Sequence, residues 1–297
     1  MTSTPRVALI TGGSSGFGRL TALTLARDGY EVVAAFRGSR GGFERQAAEL
    51  QVASAGGTAV QSVQLDVTDD TSVARAVADV VDRLGHIDVL VNAAGYGLLG
   101  PMECTSIAQA QELFDTNVFG TMRMCKAVVP IMREQGSGCV LNFGSDVGLR
   151  PNFFQSSYAS SKFAVDGYSQ VLRLELRRFG IDVALVSPGW YGTEFGESAV
   201  TTFGTGDAAP VYAELVQEWN DGVARVEGPN DQPAEVAELV RRMLSQPDTS
   251  YRNPVGWNPE RMAGVQHDEI DRYQKHLLDY YQLHQHPHAA PADGSLL

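Results

Sequence analysis

The sequence predicts an α/β chain: a single domain built on a doubly wound parallel sheet of about seven strands, with helices on both faces. Three observations predict it. Short apolar runs alternate with longer amphipathic stretches along most of the chain, which is the rhythm of βαβ units. The runs are almost continuously apolar, as strands buried on both faces are. Finally, 43% of the 297 residues are hydrophobic, enough for a full core.

The elements follow in order. VALI at 7–10 is the first strand, and it stops at Thr11-Gly12-Gly13. A helix follows through Arg27. VVAAF (32–36), AVQSVQL (59–65), IDVLVN (87–92), GCVLNF (138–143) and IDVALVS (181–187) are the next five strands. Helices are expected near 43–54, 70–84, 107–134 and 157–179, and right-handed crossovers between the strands give the doubly wound order. After Ser187 the rhythm breaks. Residues 188–232 are rich in Gly, Thr, Pro and aromatics, with a helix near 210–221. So long a connection reads as a substrate loop or lid. A helix near 233–245 resumes the pattern, since Pro233 suits a first helical turn, and a strand near 251–256 closes the sheet. Residues 283–297 read as a flexible tail. With no repeat and no linker, residues 1–297 are read as one domain.

Composition excludes several classes of function. A net charge of −12 opposes nucleic acid, which selects basic patches, and anionic membrane surfaces. No apolar run reaches the ~18–20 residues that span a bilayer. The start, MTSTPR, lacks the apolar stretch of a secretory signal. A cytoplasmic protein is expected. Cys104, Cys125 and Cys139 show no metal-ligand spacing and read as buried small hydrophobes, so no metal is expected. The histidines of HQHPH (284–288) are assigned to the tail.

TGGSSGFG (11–18) follows the first strand and opens a helix. Glycine permits positive φ and close backbone approach, and the amides of a helix N-terminus favour a phosphate. Gly12, Ser14, Ser15, Gly16, Phe17 and Gly18 are therefore candidate dinucleotide contacts in a Rossmann-type fold. The second strand ends AAFRGSR (34–40), with Phe36 where an NAD-binding acid would stand. Arg37 follows at once and Arg40 three further on. A guanidinium grips a phosphate in bidentate fashion, and no carboxylate stands there to repel it. NADP(H) is expected over NAD(H), with Arg37 on the 2′-phosphate; the alternative makes Arg37 a solvated loop charge. Asp66, before Val67 at the end of the third strand, is either an adenine contact or a helix cap or strand-end residue.

Residues 156–162 read SSYASSK. On a helix, Tyr158 and Lys162 lie one turn apart on one face, with Ser156 or Ser157 as the N-cap. A phenol titrates near ~10, too high for efficient proton transfer at neutral pH, and a nearby ammonium lowers it. Ser145, in GSDVG, lies thirteen residues before Tyr158. Asn117 falls inside a long helix, where Asn is a poor former and needs a reason to be.

Taken together, these residues resemble the short-chain dehydrogenase/reductase family, in the subgroup marked by T-G-x-x-x-G-x-G, from Thr11 to Thr193 and more loosely to Arg261. Asn117, Ser145, Tyr158 and Lys162 match its catalytic tetrad in order and spacing. Pro188, Gly189 and Thr193 match its P-G-x-x-x-T. The stretches 91–106, 157–167 and 251–262 are most similar to 17β-hydroxysteroid dehydrogenase-like members. The resemblance implies a nicotinamide dinucleotide held by the glycine loop and by Arg37, Asp66, Val67, Asn92, Ala93, Gly95, Tyr158, Lys162, Pro188, Gly189 and Thr193. It implies a ketone–alcohol interconversion in which Tyr158 moves the proton and Ser145 binds the substrate oxygen. In that scheme Lys162 lowers the tyrosine pKa and holds ribose hydroxyls, Asn117 holds a water, and Thr193 contacts the carboxamide. It also implies a homodimer or homotetramer paired through the helices near 107–134 and 157–179.

Two positions depart from the family. Ala93 replaces the second Asn of N-N-A-G, which puts that residue's role in tying the sheet in doubt. Asp146 follows Ser145, where a small or apolar residue is usual; it either binds a polar group of the substrate or turns to solvent. The substrate walls are expected to include Tyr96, Leu98, Leu99, Met102, Phe153, Phe154, Trp190, Tyr191, Phe195 and Phe203, a lining suited to a bulky apolar carbonyl or alcohol. Two other readings compete with the reductase: a non-catalytic NADP-binding sensor, and an epimerase or dehydratase.

Overall fold

The computed structural model describes residues 4–38, 42–55, 57–149, 151–189, 191, 199–225, 232–246 and 250–256, with 222–225 as backbone alone. Arg40, Trp190, Thr193, Phe195, Arg261, five of the six histidines and the 283–297 segment lie outside the described residues.

The strands are β1 (Val7–Thr11), β2 (Glu31–Phe36), β3 (Gln61–Gln64), β4 (Val89–Asn92), β5 (Leu98–Leu99), β6 (Gly138–Phe143), β7 (Ile181–Pro188), β8 (Val200–Thr201) and β9 (Arg252–Val255). The main sheet has seven parallel strands in the order β3-β2-β1-β4-β6-β7-β9. The helices are α1 (Gly16–Arg27), α2 (Phe43–Ala53), α3 (Asp70–Leu84), α4 (Ile107–Phe114), α5 (Thr121–Gln135), α6 (Ser156–Leu176), α7 (Ala209–Arg225) and α8 (Ala234–Ser245).

Strand alternation divides the core in two. Ala8, Ile10, Val32, Ala34, Val89 and Val91 face one layer with Ala22 and Leu25 of α1 and Val236 and Val240 of α8. Val7, Leu9, Val33, Ala35 and Leu90 face the other, with Val73 and Val77 of α3, Met124 and Val128 of α5, and Leu172 and Leu176 of α6. A strand whose two faces are both buried reads as continuously apolar, which is why these strands were legible. β3 is shorter than the run at 59–65, and β4 than the run at 87–92.

The chain leaves β1 toward β2 and β3 on one side and returns to β4 on the other, so the crevice beyond Thr11 and Asn92 is the switch point where such sheets bind ligands. Thr11 Oγ1 accepts hydrogen bonds from Ala93 N and Ala94 N, each at 3.1 Å, and stitches the loop after β4 to β1. Asn92 Nδ2 donates to Asn142 Oδ1 at 2.9 Å, and Asn142 Nδ2 to Ser169 Oγ at 2.8 Å. The tie in doubt at Ala93 is thus made by backbone amides and by Asn92.

Two features escaped the sequence reading. β5 and β8 form a separate parallel pair that fastens the segment after 198 to the loop after β4. The helix expected at 107–134 is broken by a π-helical turn, Asp115–Gly120, between α4 and α5. The N-cap of α6 is Gln155, and Ser156 is already helical, which corrects the serine cap.

Candidate active site

The glycine loop lies against the start of α1. Gly12 has φ +67°, and a Cβ there would sit 2.9 Å from Ala93 O, so only glycine permits this approach. Gly16 has φ +49°, and a Cβ there would meet nothing within 4 Å. The loop therefore faces open space. Ser15 is the N-cap of α1 but makes no side-chain cap bond, and the first turn carries no acid. The first-turn amides and the positive helix end are left for an anion. These features fit a dinucleotide pyrophosphate. The Phe17 ring turns inward, 5.4 Å edge-on from Tyr191 and 6.1 Å from Phe143.

Beyond β2 and β3, Arg37 Nη1 lies 3.8 Å from Asp66 Oδ2, with the Arg37 side chain 75% exposed. A carboxylate does stand near Arg37, contrary to the expectation from 34–40, because β3 pairs beside β2 and ends there. Burial pulls Asp66 upward, but Thr68, whose N and Oγ1 both donate to Oδ1, together with Arg37 and Arg123 holds it below the usual carboxylate range. Val67 is buried in the core.

Tyr158 and Lys162 rise one turn apart from α6, both buried. Tyr158 is hydrogen-bonded to Ser145 and packed among Leu98, Leu113, Val147 and Ala159. Ser145 lies just beyond β6, where its Oγ donates to Asp146 Oδ1 at 2.9 Å. Lys162 Nζ donates to Phe143 O at 2.9 Å and lies 5.8 Å from the Tyr158 ring centre. Burial lowers Lys162 to about 8. Tyr158 goes the other way: burial raises it, the Ser145 bond lowers it, and the charge of Asp146 raises it further. The expected lowering by Lys162 is not realised in the chain by itself, because desolvation dominates and the ammonium is engaged by Phe143 O.

Asn117 sits in the π-helical turn, a feature that gathers at functional sites. Its Oδ1 accepts from Tyr96 N at 3.1 Å, and its Nδ2 donates to Tyr96 O at 3.1 Å and Ser161 Oγ at 3.2 Å. A Cβ on Gly95 would meet Asn117 Oδ1 at 2.9 Å and Lys162 Nζ at 3.9 Å. Asn117 thereby clamps the loop after β4 against α6, and Asn117, Ser145, Tyr158 and Lys162 lie around one site. Asp146 is half-buried, with Oδ1 turned to Ser145 Oγ and Val147 N.

The expected substrate walls separate. Tyr96 and Leu98 pack beside Tyr158. Tyr191 belongs to the core with Phe17, and Met102 and Phe153 are exposed. Phe154, at φ +60°, meets Phe203 edge-on at 5.4 Å and Trp219 of α7 at 5.6 Å. Thr105 Oγ1 and Thr202 Oγ1 are hydrogen-bonded at 3.0 Å. The segment read as a lid is thus fastened to the loop after Ser145. Sequence reasoning missed Trp219, which lies on a helix whose packing partner is remote in the chain. It also missed the buried set in which the Tyr251 hydroxyl donates to Asp166 Oδ1 at 2.7 Å and Arg252 pairs with Asp166, joining β9 to α6. Pro188 ends β7, and Gly189 N donates to Val255 O at 2.8 Å. The three cysteines are free, with burial raising Cys125 to about 12. Among the described residues no group of side chains could hold a metal, and no helix is long and apolar enough to cross a membrane.

The sequence profile of the short chain dehydrogenase family matches residues 6–202. The chain is 42% identical over 200 residues to bovine (Bos taurus) retinol dehydrogenase 8, covering 66% of this chain and 62% of that protein. It thus spans about three fifths of that relative's length. It is 35% identical over 260 residues to 17-beta-hydroxysteroid dehydrogenase type 1 of Mus musculus, covering 84% of this chain and 73% of that protein. Among solved structures, actinorhodin polyketide ketoreductase with NADPH superposes with a TM-score of 0.71 at 30% identity, covering 86% of this chain and 97% of that one.

Proposed function

The chain belongs to the short chain dehydrogenase family, and we propose that it is an NADP(H)-dependent oxidoreductase interconverting a ketone and a secondary alcohol on a bulky apolar substrate. The observation that carries this reading is the buried Tyr158, one turn from Lys162 on α6, hydrogen-bonded to Ser145 from the end of β6 and packed against apolar side chains. In reduction, Tyr158 gives its proton to the substrate oxygen while Ser145 donates a hydrogen bond to the same atom, where negative charge develops. Lys162 carries positive charge below Tyr158 and favours the phenolate left behind. Asn117 fixes the Tyr96 loop and, by resemblance, a proton-carrying water. The nicotinamide, when bound, carries the hydride. The glycine loop and Asn92, Ala93, Gly95, Pro188 and Gly189 would line its site, with Asp66 and Val67 at the adenine end. Thr193 is assigned the carboxamide by resemblance.

Arg37 is the proposed 2′-phosphate ligand, supported by its exposure beside the loop and by the NADPH of the ketoreductase neighbour. Asp66 would have to release it on binding. Pairing of subunits through α4, α5 and α6 is proposed as well: Ile107, Phe119, Phe163 and Val171 stand exposed there, and a homodimer would cover them.

The test is NADPH and NADH oxidation by purified protein over steroids, aryl ketones, β-keto esters and quinones. Turnover with NADPH on one class is expected. Tight NADPH binding with no turnover on any class would count for a sensor instead.

A further inference from the structure

We propose that Asp146 selects the substrate: its carboxylate recognises ketones that carry a hydrogen-bond donor, a hydroxyl or an ammonium, on the carbon next to the carbonyl. The inference rests on the reductase reading above.

One hydrogen bond places the carboxylate beside the site, and its charge acts in the same direction. Ser145 Oγ donates to Asp146 Oδ1 at 2.9 Å, and the charge of Asp146 is felt at the Tyr158 hydroxyl. Oδ1 also accepts from Val147 N at 2.8 Å. The Asp146 backbone amide gives the carboxylate one more hydrogen bond, and no described residue forms an ion pair with it. The neighbouring cation, Lys162, donates to Phe143 O instead. Leu98, Leu113, Val147 and Ala159 pack around Tyr158. A carboxylate partly withdrawn from water, with no cation paired to it among the described residues, is costly unless something pairs with it. Burial accordingly raises Asp146, against the Ser145 and Val147 bonds that lower it.

The geometry then names the partner. Ser145 has one hydroxyl proton, so on turning it to the carbonyl oxygen it leaves Asp146 Oδ1, 2.9 Å away, without that donor. In a ketone, the carbonyl oxygen and a donor atom on the adjacent carbon are about one hydrogen-bond length apart. A substrate oxygen on Ser145 therefore brings that donor within reach of the carboxylate. A site built to bond such a donor discriminates strongly against analogues lacking it, because its own polar group is then left unpaired.

A purely local role, holding Ser145 and Val147 through Oδ1, is one that Asn performs as well. The experiment compares kcat/KM with NADPH for 2-hydroxyacetophenone and 2-(dimethylamino)acetophenone against 2-methoxyacetophenone, which has a similar inductive effect but no donor. Native protein is expected to favour the two donor ketones by about tenfold or more. In Asp146→Asn, and in Asp146→Ser as a second variant, that ratio should fall to within about threefold of unity, whatever the absolute rates. No preference in native protein, or a preference that survives both substitutions, overturns the proposal. If native protein reduces none of the three, the same ratio is read as affinities of the ketones for NADPH-saturated protein by calorimetry, and the reductase reading is decided separately by the wider carbonyl panel. Equal native affinities would overturn the selection by Asp146.

Discussion

Lys162 Nζ donates to Phe143 O at 2.9 Å and lies 5.8 Å from the centre of the Tyr158 ring. The ammonium is therefore held by the end of β6, beneath the tyrosine. Its burial has a measurable cost. The folded value, about 8, lies below the usual 10.5, so the unfolded chain binds the extra proton between those values, and this group's contribution to stability rises with pH from about 8 to about 10.5. Lys162→Met is expected to raise the unfolding free energy of the ligand-free protein at pH 7 by about 1–2 kcal/mol, net of the bond lost at Phe143 O, while removing turnover. Thermal melts at pH 7 and pH 10 check this: the gain should shrink at the higher pH, and a lower melting point at pH 7 would contradict it.

Arg37 and Asp66 are 3.8 Å apart at the proposed adenine end. Arg37→Ala is expected to weaken NADPH by roughly tenfold or more and NADH by less than about threefold, since only the former brings a phosphate for the guanidinium. Fluorescence titration of both cofactors decides. Equal losses would place the phosphate elsewhere.

The charge of Asp146 raises Tyr158, because an anion nearby disfavours the phenolate. Asp146→Asn removes that charge and lowers the Tyr158 value. Alcohol oxidation gains rate as Tyr158 deprotonates, so the rising limb of its pH–rate profile is expected to move to lower pH in the variant. An unmoved limb would show that Tyr158 does not set it.

Phe154, Phe203 and Trp219 join α7 to the loop after Ser145. Trp219→Ala is expected to raise KM for a bulky ketone by about three- to tenfold, with NADPH affinity unchanged, because it loosens the lid and leaves the dinucleotide site intact. Loss of NADPH affinity would show that the aromatic contact supports the whole fold.

The strands of the sheet were legible because two-sided burial makes apolar runs, and the glycine loop and the Tyr–Lys pair stood out because each is written in a few neighbouring residues. Asn117 announced itself as a poor helix former, though not the π-helical turn that accommodates it, since the apolar pattern runs on through 115–120. The β5–β8 pair was illegible, as two residues are too few to show a period. Aromatics at 96–203 carried no sign of which face they take, so Tyr191 was read as a pocket wall when it packs on Phe17. The pairing of Asp66 with Arg37 joins residues from separate strands, and only the sheet order brings them together.

In the proposed reaction Tyr158 moves the substrate proton. NADPH oxidation with a ketone that the native protein reduces, measured for native protein and Tyr158→Phe with NADPH affinity determined alongside, tests this. A loss of about 10²–10⁴-fold in kcat is expected, with NADPH affinity within about threefold of native. Turnover near the native rate in Tyr158→Phe would contradict it.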